Sequence, residues 1–463
     1  MWFNPATGAL EPLLAESYSI SADGLVYTYN LRRGITFHDG APLTAEAVVR
    51  SFDRVLNHVV PEDPEARSLT PPPGAFLIEM ITDVRAVDNY TVEIELEFPF
   101  APFNAHITHQ VAYIISPLAM DEEQRYLDGD DARPVTANPV GTGPFVFAYR
   151  VHGDYTRLTP NTNHWRSVPA HDVVFTVIPE PATRIAMLET GAGNAMTALA
   201  SDIHHLRSPM MSHVTHWLIP TTSLTYVGFN TQRGPLQDIR VRQAISMAIN
   251  REDILYGVQE GLGVLAVGPI RGGSVAHAPT DVEAWPNDIE AARALLAETP
   301  YADGFTINFW FNEGNAVRAR IAELIQDNLR PLNINVEISA IEWGAYLEDT
   351  AEGLHDMFIL GWVTMTGDAD YGIEPLFHSA RVGNPGNRSF YVNPQVDELL
   401  ERGRMSQDPS ERDQIYREVT EILVYEAPML FLFHPDTPAV TYGIDGFMFD
   451  FAVTPHFFNT TLR

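Results

Sequence analysis

The chain has 463 residues, with 60 acidic side chains against 29 basic ones and a formal net charge of −31. So acidic a chain repels phosphate backbones and anionic bilayers, which argues against a nucleic-acid partner or a membrane-surface role. It has no Cys, so disulfides, thiolate metal sites and a Cys nucleophile are excluded. At 45% hydrophobic and 19% charged residues, it is expected to fold into two or three units rather than remain disordered.

Every basic residue is an Arg, and Arg keeps its charge above the pH at which Lys begins to lose it. No apolar run approaches the roughly 20 residues that a helix needs to cross a bilayer. The opening MWFNPATGAL shows neither the basic nor the apolar stretch of a secretory leader.

In chain order, residues 25–31 alternate apolar and polar side chains, as a half-buried strand does. A turn follows through Asp39-Gly40, and Thr44 stands as N-cap of a helix reaching residue 56. Prolines at 61 and 71–73 mark a loop. Residues 92–96 read as a strand, and Gly141-Thr142-Gly143-Pro144 as a turn into a strand at 145–149. Residues 182–191 form a short helix and 224–229 a strand. From 238 the pattern alternates: helix over 238–260, helix at 288–296, strand at 304–311, helix at 316–329, strand at 334–338. The continuous apolar run 357–362 suits a strand buried on both faces. This βαβ rhythm predicts an α/β unit with a mainly parallel sheet. Helices over 395–425 and a strand at 429–433 close it, and the aromatic tail 441–457 is expected to pack on another unit.

Catalytic signatures are missing. There is no G-x-S-x-G, phosphate loop or HExxH motif. The His-rich stretch His204, His205, His213, His216 lacks an accompanying carboxylate pattern and reads as surface. No cofactor and no enzymatic activity are expected.

Several ordered motifs carry more. They are PLLAES at 12–17, LRRGITFHDGAPLTAEAV at 31–48, NPVGTGPF at 138–145 and VGFNTQRGPLQDIRVRQAISMAIN at 227–250. IEWGAYL at 341–347, GWVTMTGDADYGIEPLF at 361–377 and FYVNPQVDELL at 390–400 follow. Together they resemble the extracellular solute-binding protein family 5, the dipeptide, oligopeptide, nickel and glutathione binding proteins of ABC importers. The TGDAD segment is most similar to the glutathione-binding branch.

The resemblance implies a two-lobed α/β periplasmic-binding-protein fold (type II, cluster C) with an extra subdomain on the first lobe. Residues 1–137 would form that subdomain, 138–234 the core of lobe 1, 235–434 lobe 2, and 435–463 a return to lobe 1. Family members also carry a leader and further residues ahead of the PLLAES segment, so the start is expected to be truncated. The implied function is capture of a peptide or glutathione-like solute by a periplasmic or extracellular monomer, which closes on it and delivers it to an ABC permease and ATPase. The same fold also serves nickel chelates, opines, haem and oligosaccharides, and a carboxylate-based hydrolase is a further alternative.

The resemblance also implies site residues. An Asp in the loop after strand 357–362 pairs with the ligand ammonium group; Asp368 matches it, with Asp370 next. Thr366 in the same loop, and Trp362 before it, would line the pocket. Asn312 stands where the dipeptide branch has a carboxylate-binding Arg, and Arg388 is an alternative anion holder. Tyr226 would line the cleft or hinge. Trp343 reads as core packing of its helix.

Overall fold

A computed structural model describes residues 1–57, 74–383 and 386–463. The loop expected around Pro61 and Pro71 to Pro73 lies outside them. The chain divides into two compact units. The first comprises residues 1–196, 441–450 and 454–463; the second comprises 197–440 with 451–453.

In the first unit, an antiparallel sheet runs in the order Ala15–Ile20, Val26–Leu31, Thr91–Leu96, Ile81–Asp88. Alternation puts Tyr27, Tyr29 and Leu31 on the same buried side as Val92, Ile94 and Leu96. The two tyrosines are satisfied there, since Tyr27 donates to the Phe100 carbonyl at 3.0 Å and Tyr29 to Asn104 at 2.7 Å. Helix Ala45–Leu56 starts where expected, with the Thr44 hydroxyl accepting from the Ala47 amide. The Gly143 carbonyl is held by His38 and by the Asn161 side-chain amide, both at 3.0 Å, so NPVGTGPF is a structural turn. The tail supplies aromatic packing here: Phe457 lies against Phe175 and Phe447, with centroids 5.6 and 5.0 Å apart.

The second unit is built on one twisted sheet. Phe305–Asn312 pairs in parallel with Ile334–Ile341 and with Met357–Val363. Ser223–Phe229 lies antiparallel between Met357–Val363 and Met429–Thr441. The expectation of a mainly parallel sheet is therefore corrected to a mixed one. The βαβ connections govern only one side of Met357–Val363. Its other edge takes a strand from earlier in the chain, for which no crossover rule sets the direction. The same pairing explains why residues 197–234, expected with the first lobe, group with 235–440.

Both faces of this sheet are covered. Val227, Phe229, Ile307, Phe309, Ile334 and Val336 pack under helices Ile239–Ala248 and Ala316–Leu329. Leu224, Tyr226, Phe358 and Leu360 pack under Ala369–Phe377, Pro394–Met405 and Pro409–Glu426. The single helix expected over 238–260 is two, Ile239–Ala248 and Arg251–Gln259. Asn250 interrupts it because its side chain accepts from the amides of Glu252 and Asp253, an N-cap geometry incompatible with continuing the helix.

Candidate ligand-binding site

Three neighbouring strands of the second unit, Phe305–Asn312, Ile334–Ile341 and Met357–Val363, run the same way. Their carboxyl ends and following loops share one edge of the sheet, the end at which open α/β sheets take ligands. Each strand is followed by a capped helix. Asn315 caps Ala316–Leu329, Glu342 caps Trp343–Ala351, and Asp368 caps Ala369–Phe377.

Asp368 is not available to an ammonium group, which corrects the sequence expectation. Its two oxygens take Nη1 and Nη2 of Arg412 at 2.9 and 2.7 Å, and Oδ1 also accepts from the Asp370 amide at 3.0 Å. Both partners of the ion pair are buried, at 5% and 8% side-chain exposure. Asp370 is buried too and pairs with Arg404 at 3.3 Å. Arg404 and Arg381 share Glu374, at 3.2 and 2.9 Å. The acidic run of TGDADYGIE thus pins helix Ala369–Phe377 to the helices behind it.

Other expected contacts are also interior. Tyr226 is 1% exposed and meets Phe358 edge-on, with centroids 5.9 Å apart. Burial raises its hydroxyl pKa, against the opposing charges of Arg388 and Arg318. Arg388 is buried and donates to the Leu347 carbonyl at 2.7 Å and to the Thr350 hydroxyl at 3.1 Å, so it secures the last turn of Trp343–Ala351. Thr366 is fully buried, and among the described residues its hydroxyl has no hydrogen-bond partner.

Two expected residues do reach the edge. Trp362 is partly exposed, and its indole N–H donates to the Tyr371 carbonyl at 2.8 Å, which sets the ring plane. Asn312, the last residue of its strand, is also partly exposed. Trp343, expected in the core, is instead 48% exposed and stacks on Tyr346 at 6.1 Å. Its position at the first turn of a helix, just past a strand end, turns it outward. Met365 adds a further exposed apolar side chain in the loop after Trp362.

Arg318 is the residue that sequence reasoning missed. It sits in the first turn of Ala316–Leu329, where its Nη1 donates to Asn312 Oδ1 at 2.6 Å. A Cβ at Gly361, itself exposed, would stand 4.0 Å from Nη2. Among the described residues no carboxylate lies within 4.0 Å of this guanidinium. Desolvation lowers its pKa, opposed by the tyrosines 346 and 226. A signal existed in the sequence: a cation three residues past an N-cap opposes the helix dipole, and that first turn has no acid.

The sequence matches the model of the bacterial extracellular solute-binding proteins, family 5 middle, over residues 9–384. The chain belongs to this family. Di/tripeptide-binding protein 2 of Pseudomonas aeruginosa (strain UCBPP-PA14) is 32% identical over 445 residues, covering 94% of this chain and 82% of that protein. Glutathione-binding protein GsiB of Pectobacterium atrosepticum is 29% identical over 433 residues, covering 91% and 79%. The periplasmic binding protein DppA from Helicobacter pylori, associated with an ABC transporter and solved with the peptide STSA, superposes with a TM-score of 0.87. It is 28% identical, and the match covers 100% of this chain and 91% of that one. The family 5 protein therefore has the two-lobed periplasmic-binding-protein fold that its ordered motifs imply. Among its described residues, no group of three or more His, Asp or Glu could hold a metal ion. Nor is any helix there long and apolar enough to cross a membrane.

Proposed function

We propose that this chain is the extracytoplasmic substrate-binding component of an ABC importer, acting as a monomer. Its ligand is a peptide or glutathione-like solute, which it binds without chemical change and hands to the permease. The observation that carries the reading is the likeness, along nearly the whole chain, to a protein named for binding di- and tripeptides. The carboxyl edge of the second unit's sheet supports it. Trp362, Trp343 and Met365 offer apolar surface there, and Asn312 and Arg318 offer polar groups. Asp368 and Asp370, the acids that follow Met357–Val363, are spent on buried ion pairs.

Purification under native conditions, followed by mass spectrometry of retained solute, tests this directly. A thermal shift with di- and tripeptides and glutathione complements it. A ligand at about 100 times its Kd adds about 2.7 kcal/mol, or about 5–11 °C for a unit of this size. Absence of any shift, or recovery of cleaved peptide, would sink the proposal.

A further inference from the structure

We propose that Arg318 is the anion subsite of this edge and holds the carboxylate of the bound solute. Naming that anion a peptide carboxylate rests on the function proposed above; the subsite itself rests on geometry.

A guanidinium carries five N–H donors in a fixed fork. The other carboxylate-free arginines of the second unit that are not fully exposed spend theirs on backbone carbonyls and, in one case, a hydroxyl. Arg242 donates to the carbonyls of Glu426, Ala427 and Leu236, and Arg251 to those of Ala266 and Phe431. Arg388 donates to Leu347 and Thr350. Arg318 is different. Among the described residues its one side-chain hydrogen bond is the 2.6 Å contact to Asn312. That contact fixes the fork without neutralising it, because an amide oxygen brings no charge.

Beside the fork lies a residue without a side chain. Gly361 is exposed, and a Cβ there would stand 3.1 Å from the Leu224 carbonyl oxygen and 4.0 Å from Nη2. The strand passes the guanidinium with a glycine, two residues before its end at Val363. A partly desolvated cation in the positive end of a helix is unfavourable by itself. A carboxylate approaching over Gly361 would relieve both terms and accept two parallel N–H bonds, the geometry for which Arg is suited and Lys is not. Asp368 and Asp370 are consumed by Arg412 and Arg404, so neither competes for this fork, and through Arg318 the edge reads the acid end of a solute.

The test is titration calorimetry of the full chain with trialanine, its C-terminal amide and glutathione, for wild type, Arg318→Gln and Arg318→Lys. Amidation should weaken wild-type binding about 10- to 100-fold, the range for a charge-assisted pair. Arg318→Gln should bind acid and amide alike, and Arg318→Lys should keep part of the preference, which also controls for misfolding. In parallel, the solute retained by wild type should carry an anionic group and be lost from Arg318→Gln. If no peptide binds but an anionic solute is retained in this Arg318-dependent way, the peptide reading fails and the subsite stands. The subsite is overturned by equal wild-type affinity for acid and amide, by an undiminished preference in Arg318→Gln, or by a retained solute that is neutral.

Discussion

Replacing Asp368 with Ala separates a structural carboxylate from a ligand-binding one. The substitution removes two charge-assisted bonds and leaves Arg412 in a site where its side chain is 5% exposed. It also strips the cap from helix Ala369–Phe377. An unpaired buried charge costs about 3–5 kcal/mol, and a lost N-cap about 1 kcal/mol. Arg412 would retain the Gly403 carbonyl at 2.8 Å and the Tyr416 hydroxyl at 3.3 Å. That remnant puts the expected loss near the lower end, about 4 kcal/mol. At 2–4 °C per kcal/mol, the midpoint should fall by about 8–16 °C. Differential scanning calorimetry at pH 7 measures it. Adding Arg412→Met should recover much of the loss, because an apolar replacement of a buried pair is often neutral. Peptide affinity of the folded Asp368→Ala protein should change by less than about 1 kcal/mol, roughly fivefold. An unchanged midpoint combined with lost binding would refute the structural role and return Asp368 to the ligand.

Acid should destabilise the second unit through two buried rings. Burial pushes His355 down to about 3 and His434 down to about 4, against about 6.5 in the unfolded chain. The unfolded chain protonates first, so their contribution is complete above about pH 6.5 and is lost as pH falls toward those folded values. At pH 5 each should cost about 2 kcal/mol. Urea unfolding at pH 7 and pH 5 checks this: His355→Gln with His434→Gln should flatten the difference, and an unaltered slope would contradict it. Gly304→Ala should destabilise by at least about 2 kcal/mol. Gly304 has φ +91°, and a Cβ there would stand 2.1 Å from the Asn333 carbonyl oxygen. A wild-type midpoint for that variant would show that the turn can relax.

The sequence by itself determined most of the elements. The alternation Ile307, Phe309, Phe311 and the stripe Ile321, Ile325 set a strand and a helix through local geometry alone. Thr44 could be read as a cap because capping is completed within three residues. The ordered motifs identified the family, since each is a short contiguous string. Tertiary structure decided what these residues face. Asp368 is spoken for by Arg412, 44 positions away, and no local pattern records that pairing. Trp343 and Thr366 exchanged their expected exposure because a strand end, not helix periodicity, sets which side of the chain is covered. Ser223–Phe229 joined the second unit through backbone bonds, which any sequence of suitable polarity can make. Arg318 stands out only by what does not surround it. Chain order can specify a neighbour at three or four residues, but it cannot specify that no carboxylate folds back to within reach; that is a property of the packed whole.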